Sequence, residues 1–279
     1  MASNPLEELA EGVTWFDDWY ALETIAPGVT AIGEPRYHQI NWNYLIECEN
    51  SALLFDTGPG ERDISIVVRT LTVKPVIAMP SHMHYDHTGN LHRFTNIAIA
   101  DIPVLRNCMR NGKLEVPDDL HLGSHENRPW VPVTVTRWIK PGETLDLGKR
   151  NLVVIATPGH AIDEVSLFDA SANILFAADF TYPGELYAQL PGSNLEDYLQ
   201  AARIIANTIN DETLILSAHG QPEANGNHAA PILRRTDIVD LMATLEQLKF
   251  SGAQPARIVV NDHMVLLTAP NAFAPWQSQ

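Results

Sequence analysis

Cysteine is almost absent from this 279-residue chain: only Cys48 and Cys108 occur, far apart and with no CxxC spacing. That excludes a disulfide framework and fits a reducing compartment, so a cytoplasmic protein is expected. Long hydrophobic runs are missing too, and no stretch approaches the roughly 18 apolar residues of a membrane span. The first residues, Met1-Ala2-Ser3-Asn4-Pro5 with Glu7, Glu8 and Glu11, have neither the basic nor the apolar segment expected of a signal peptide. Positive charge is thin. Eighteen Lys and Arg stand against 34 Asp and Glu, a formal charge of −16, and apart from Arg234-Arg235 the cations are scattered singly. Neutralising a polyanion needs a basic stripe, so neither nucleic acid nor a membrane is an expected partner. What is present is enough apolar material, 45% of residues, to fill a large core, which excludes a disordered chain.

Alternation and turn residues divide the chain into two similar halves. Residues 22–33 read as two short strands around Pro27-Gly28, and 43–48 with 52–56 as a hairpin about Glu49-Asn50. Ile64, Val67, Val68 and Leu71 fall at helical spacing over 61–71, and apolar runs at 76–79 and 97–100 read as strands. In the second half, 144–147 with 152–156 and 165–168 with 174–177 pair as hairpins. Ser193-Asn194-Leu195-Glu196 has capping-box spacing and opens a helix to about Ala206; a strand at 214–217 and a helix at 235–249 follow. Hairpins then a helix, twice, predicts two sheets packed face to face with helices outside. No low-complexity linker intervenes, so one domain is expected over 1–279, with an N-terminal arm at 1–21. Residues 111–132, rich in proline and poor in periodicity, read as a long covering loop of the kind that carries function. Trp15, Phe16, Trp19 and Tyr20 would dock the arm on the core or on a second subunit, which leaves a homodimer open. Cys48 alternates into a strand and is expected in the core.

The chemistry concentrates in His82-Met83-His84-Tyr85-Asp86-His87, directly after the strand at 76–79. Extended residues two apart point the same way, so His82 and His84 can grip one cation, while Asp86 and His87 face a second as the chain turns. Imidazole with carboxylate suits zinc, iron or manganese better than calcium. His160, Asp179 and His219 each stand just past another apolar strand, and metal sites gather ligands from several strand ends of one rim. The set suffices for two metals with three ligands each plus a bridge. His92, His121, His125, His228 and His263 lack partners at ligand spacing and read as surface or core. Arg36-Tyr37-His38 with Trp42 reads either as a binder of an acyl or carboxylate group or as an exposed hairpin end.

In order and spacing, Asp56-Thr57-Gly58, the hexapeptide, His160, Asp179 and His219 resemble the metallo-β-lactamase-fold superfamily over nearly the whole chain. The resemblance implies an α/β fold, the four-layer αββα sandwich. It implies that His82, His84 and His160 hold one metal, that Asp86, His87 and His219 hold the other, that Asp179 bridges them, and that Asp56 braces the loop without binding metal. The run Asp179-Phe180-Thr181-Tyr182 is similar to acyl-CoA-thioesterase-like members and to N-acyl-homoserine lactonases, in which the tyrosine meets the substrate carbonyl. It is unlike true zinc β-lactamases, which lack Asp in the bridging position. The expectation is a binuclear hydrolase with two Zn2+ (Fe or Mn as substitutes) that cleaves an ester, thioester or lactone with an apolar acyl part. A metal-bridging hydroxide would attack the carbonyl, Asp86 would orient it and accept its proton, and Tyr182 would donate to the oxyanion. The alternatives are a mononuclear iron persulfide-dioxygenase-like oxidoreductase, β-lactam hydrolysis as a main or side activity, and a non-catalytic metal sensor.

Overall fold

The computed structural model describes residues 9–221, 227–253 and 255–268. Two six-stranded sheets carry the fold. The first runs, in spatial and chain order, through Val13–Trp15, Ala21–Ala26, Val29–Glu34, Asn41–Glu47, Ala52–Phe55 and Val76–Met79. Its last pair is parallel, reached through the helix Ile64–Leu71. The second sheet contains Thr144–Asp146, Asn151–Ala156, Val165–Asp169, Ile174–Ala178, Leu214–Ser217 and Ile232–Leu233. There the parallel pair is Ile174–Ala178 with Leu214–Ser217, bridged by the helix Leu195–Thr208. Each half is thus an antiparallel meander that gains one parallel strand through a helical crossover, and in the second sheet Ile232–Leu233 adds an antiparallel edge beyond it.

Period-two alternation assigns the faces. Tyr44, Ile46, Leu53 and Phe55 meet Val154, Leu167, Phe176 and Leu216 between the sheets, with the Tyr44 and Phe176 rings edge to face at 5.5 Å. Their neighbours Leu45 and Leu54 point outward onto Ile64, Val67 and Val68. On the opposite side Leu175, Ala177 and Ile215 pack on Leu199, Ala202 and Ile205, and on Leu241 and Leu245 of the helix Arg235–Ser251. The layers are helix, sheet, sheet, helix: the αββα sandwich that the sequence implied.

Four local expectations change. Val13–Trp15, expected within an arm, pairs with Ala21–Ala26 as the edge strand of the first sheet; residues 1–8 of that arm lie outside the described residues. The stretch 111–132 contains the turns Asp118–His121 and Gly123–Glu126 and a pairing of Leu114 with Val133. The helix at 195 is capped by Asn194, whose Oδ1 accepts from the backbone N–H of Glu196 and Asp197, while Ser193 Oγ donates instead to the His160 carbonyl. Finally, Gly184–Tyr187, Met264–Leu267 and Arg257–Val259 form a three-stranded sheet that the sequence reading did not contain. No helix among the described residues is long and apolar enough to cross a membrane.

Candidate metal centre

All seven predicted ligands come together at one rim of the sandwich. His82 and His84 follow the strand Val76–Met79, and Asp86 and His87 lie in the single helical turn Tyr85–Thr88. His160, Asp179 and His219 each leave the end of a second-sheet strand. The turn holding Asp86 and His87 is pressed against residues 56–60: Thr57 donates to the His87 carbonyl through N–H and Oγ1, and Gly89 N–H reaches Gly58 O at 2.8 Å. A Cβ at Gly89 would overlap the Pro59 carbonyl, so only glycine fits that approach.

The donor atoms form three overlapping groups: His82, His84 and His160; His82, His87 and Asp179; and Asp86, His87 and His219. Within each, the ligand atoms lie within 4.8 Å of one another. Asp179 faces both ends of the cluster, with Oδ1 3.3 Å from His87 Nε2 and 3.2 Å from His219 Nε2, and Oδ2 3.4 Å from His160 Nε2. The outer nitrogen of four of the five rings has a partner that fixes its direction. His87 Nδ1 lies 3.0 Å from Asp56 Oδ2, His160 Nδ1 2.7 Å from the Tyr187 carbonyl, and His219 Nδ1 3.1 Å from the Gln39 carbonyl. His82 Nδ1 lies 2.9 Å from Ser81 Oγ, itself bonded to Asp56. Since these partners accept, Nδ1 carries a proton and Nε2 turns inward, the arrangement that metal-binding histidines use. His82 Nε2, His87 Nε2 and Asp179 Oδ1 are buried and lack a hydrogen-bond partner, and His84 Nδ1 faces His160 Nε2 at 3.0 Å. Buried polar atoms gathered in this way, several without a partner, suit a cation.

Electrostatics agrees. Burial pushes His82, His84 and His160 below the usual imidazole range. Burial alone would raise Asp86 and Asp179, yet the imidazoles of His87 and His219 hold both carboxyls well below the usual range. Against burial, the same carboxylates push His87 far up and His219 up to about 10. The cluster therefore balances two anions with two protons, and a divalent cation carries the charge of the protons it displaces. These residues fit a metal.

Tyr182 lies against His219, ring centroids 5.2 Å apart, with its hydroxyl donating to the Glu185 carbonyl at 2.6 Å. Both residues line a cleft of about 820 Å³ over the cluster. Its apolar side includes Ile40, Tyr187, Leu190 and Val265; the three-stranded sheet forms one wall and the covering loop contributes Leu122 and His125. His125 and His263, read as surface or core, line this cleft, and so does His38. Of the other early-loop residues, Tyr37 is buried and bonded to Glu126, and Trp42 belongs to the core.

Sequence reasoning missed three supports. Asn41 Nδ2 donates to the Asp86 backbone carbonyl at 2.9 Å and lies 3.3 Å from its Oδ2. Asp163 accepts from the Met83 N–H at 3.0 Å and fixes the turn between His82 and His84. The third is the backbone carbonyl, at Gln39 and Tyr187, which no side-chain pattern advertises.

An αββα sandwich with buried imidazoles and carboxylates gathered at one rim beneath a cleft defines a metallohydrolase. The Metallo-beta-lactamase superfamily profile matches residues 38–219, and the chain belongs to that superfamily. It is similar to the acyl-coenzyme A thioesterase MBLAC2 of Gallus gallus, 26% identical over 216 residues that cover 69% of this chain and 77% of that one. It is also similar to the hydroxyacylglutathione hydrolase of Marinomonas sp. (strain MWYL1), at 23% identity over 75% of this chain and 73% of the relative. Among solved structures, a metallo-beta-lactamase from Pontibacter korlensis shares the fold with a TM-score of 0.60 and 15% identity, over 81% of this chain and 99% of its own. ETHE1 from Myxococcus xanthus does so with a TM-score of 0.52 and 16% identity, over 77% and 87%.

Proposed function

We propose that this chain hydrolyses a thioester, ester or lactone with an apolar acyl part, using two divalent ions, zinc by preference. The observation that carries the reading is the convergence of seven donors under a cleft with an apolar side. Two relatives named for hydrolysing acyl-coenzyme A and hydroxyacylglutathione support the acyl substrate class. His82, His84 and His160 would hold one ion, Asp86, His87 and His219 the other, and Asp179 would serve both. Divalent ions held there would supply Lewis acidity toward a carbonyl and would lower the pKa of water toward neutrality. Asp86, ionised throughout the neutral range, orients the attacking water and accepts its proton. Ile40, Tyr187, Leu190 and Val265 exclude water from the acyl chain.

The test is a panel on zinc-loaded protein: acyl-CoA thioesters, p-nitrophenyl esters, acyl-homoserine lactones and a cephalosporin, with elemental analysis of the same preparation. Close to two metal equivalents and a kcat/KM for an acyl substrate well above that for the cephalosporin are expected. Turnover of the cephalosporin alone, or full activity with fewer than one equivalent, would refute the reading.

Tyr182 has a role in the same reaction: its hydroxyl turns from the Glu185 carbonyl to donate to the oxyanion. Losing such a donor costs about 100-fold in turnover. Tyr182→Phe is therefore expected to lower kcat by that factor with metal content unchanged. A raised KM at constant kcat would make the ring a pocket wall only.

A further inference from the structure

Glu126, in the covering loop, collects four donors. Tyr37 Oη lies 3.0 Å and Tyr85 Oη 3.1 Å from its carboxylate, His38 Nε2 3.1 Å and Arg128 Nε 3.4 Å. Two of these lead into the metal centre. Tyr85 stands between His84 and Asp86 in the chain, and its hydroxyl also receives Gln39 Nε2 at 3.4 Å. Gln39 in turn offers the carbonyl that directs His219 Nδ1, and Asn41, two residues on, holds Asp86. His121, buried under the same loop, sets its ring against Tyr85 at 6.4 Å and Trp130 at 5.3 Å. The other end of the cluster is anchored elsewhere: His82 on Ser81 and Asp56, and His160 on the Tyr187 carbonyl. The His84 carbonyl is fixed by Thr88 Oγ1 and the His87 N–H.

We propose that Glu126 is a positioning residue for one half of the metal centre: through Tyr85 and the Tyr37–Gln39 segment it holds Asp86 and His219 in place and so sets how long that half retains its ion. The inference rests on the two-ion reading above. The other half of the centre supplies the internal control, since His82 and His160 are anchored on Ser81 and the Tyr187 carbonyl, away from Glu126.

The experiment challenges metal-loaded protein with excess chelator and follows release with a chromogenic indicator. Changing a group that orients ligands costs roughly 10–100-fold in metal affinity. Glu126→Ala is therefore expected to release one equivalent about tenfold faster, the low end of that range, and the other at the wild-type rate. Glu126→Gln keeps an oxygen for one of the two tyrosine hydroxyls, which sit on different carboxylate oxygens, and should restore part of the retention. Tyr85→Phe, which deletes the hydroxyl's bonds to Glu126 and Gln39, should shift the same equivalent in the same direction and answers the question if Glu126→Ala does not fold. Equal acceleration of both equivalents, or of neither, overturns the role of Glu126. A wild-type protein that holds only one equivalent overturns the two-ion reading and this inference with it.

Discussion

Replacing Asp179 with Asn is expected to lower turnover about 10³-fold and to remove close to one metal equivalent per chain. The amide keeps the shape of the side chain but not its charge, and Asp179 is the carboxylate that faces His87, His160 and His219 together. Charge stabilisation by a metal site contributes several kcal/mol to a hydrolytic transition state, and about 4 kcal/mol corresponds to the stated factor. Steady-state kinetics and elemental analysis on one preparation check both parts. A variant with wild-type kcat and undiminished metal would show that the bridging position is not used.

Glu34→Gln should change stability rather than activity, and most strongly at alkaline pH. Glu34 ends the strand Val29–Glu34, is fully buried, and accepts from Trp19 Nε1 at 2.7 Å and Asn43 Nδ2 at 3.3 Å. Burial, with a smaller push from Glu61, raises its carboxyl to about 8 against the hydrogen bonds that pull it down. The folded chain thus keeps a proton that the unfolded chain, with an ordinary value of 4.5, gives up. The stability this proton provides is complete below pH 4.5 and is lost as pH rises toward 8, by about 3–5 kcal/mol in all. Glutamine has no charge to bury. The Tm of the variant relative to wild type is expected to climb by roughly 5–15 °C between pH 5 and pH 8.5, at about 2–4 °C per kcal/mol. A Tm difference that stays flat across this range would mean that Glu34 is ionised in the folded chain.

The parts legible in the sequence were those with a short period or a fixed offset. The hairpin of 43–48 with 52–56 is found as the strands Asn41–Glu47 and Ala52–Phe55, and the hexapeptide needs only local geometry to aim His82 and His84 together. His160, Asp179 and His219 were legible because each follows an apolar strand and the strands end at a common rim. The three-stranded wall was not, since Arg257–Val259 is exposed on alternate residues and Met264–Leu267 pairs with residues some eighty positions earlier. The helix cap moved by one residue because the Ser193 hydroxyl is bonded to the His160 carbonyl and Asn194 Oδ1 takes the helix N–H groups. The hydroxyl of Tyr182 could be placed near the metals by offset, but its bond to Glu185 follows from the wall that the sequence concealed.

The two halves of the sandwich contribute unequal shares to one centre: His82, His84, Asp86 and His87 from the first, His160, Asp179 and His219 from the second. Neither half owns a complete donor set, so the pocket for an ion exists only after the sheets have docked. Contacts that form after the rate-limiting step of folding slow unfolding and leave folding untouched. An ion bound at this rim is therefore expected to act as a late latch, slowing unfolding and leaving the folding rate unchanged in a comparison of metal-loaded and metal-free protein.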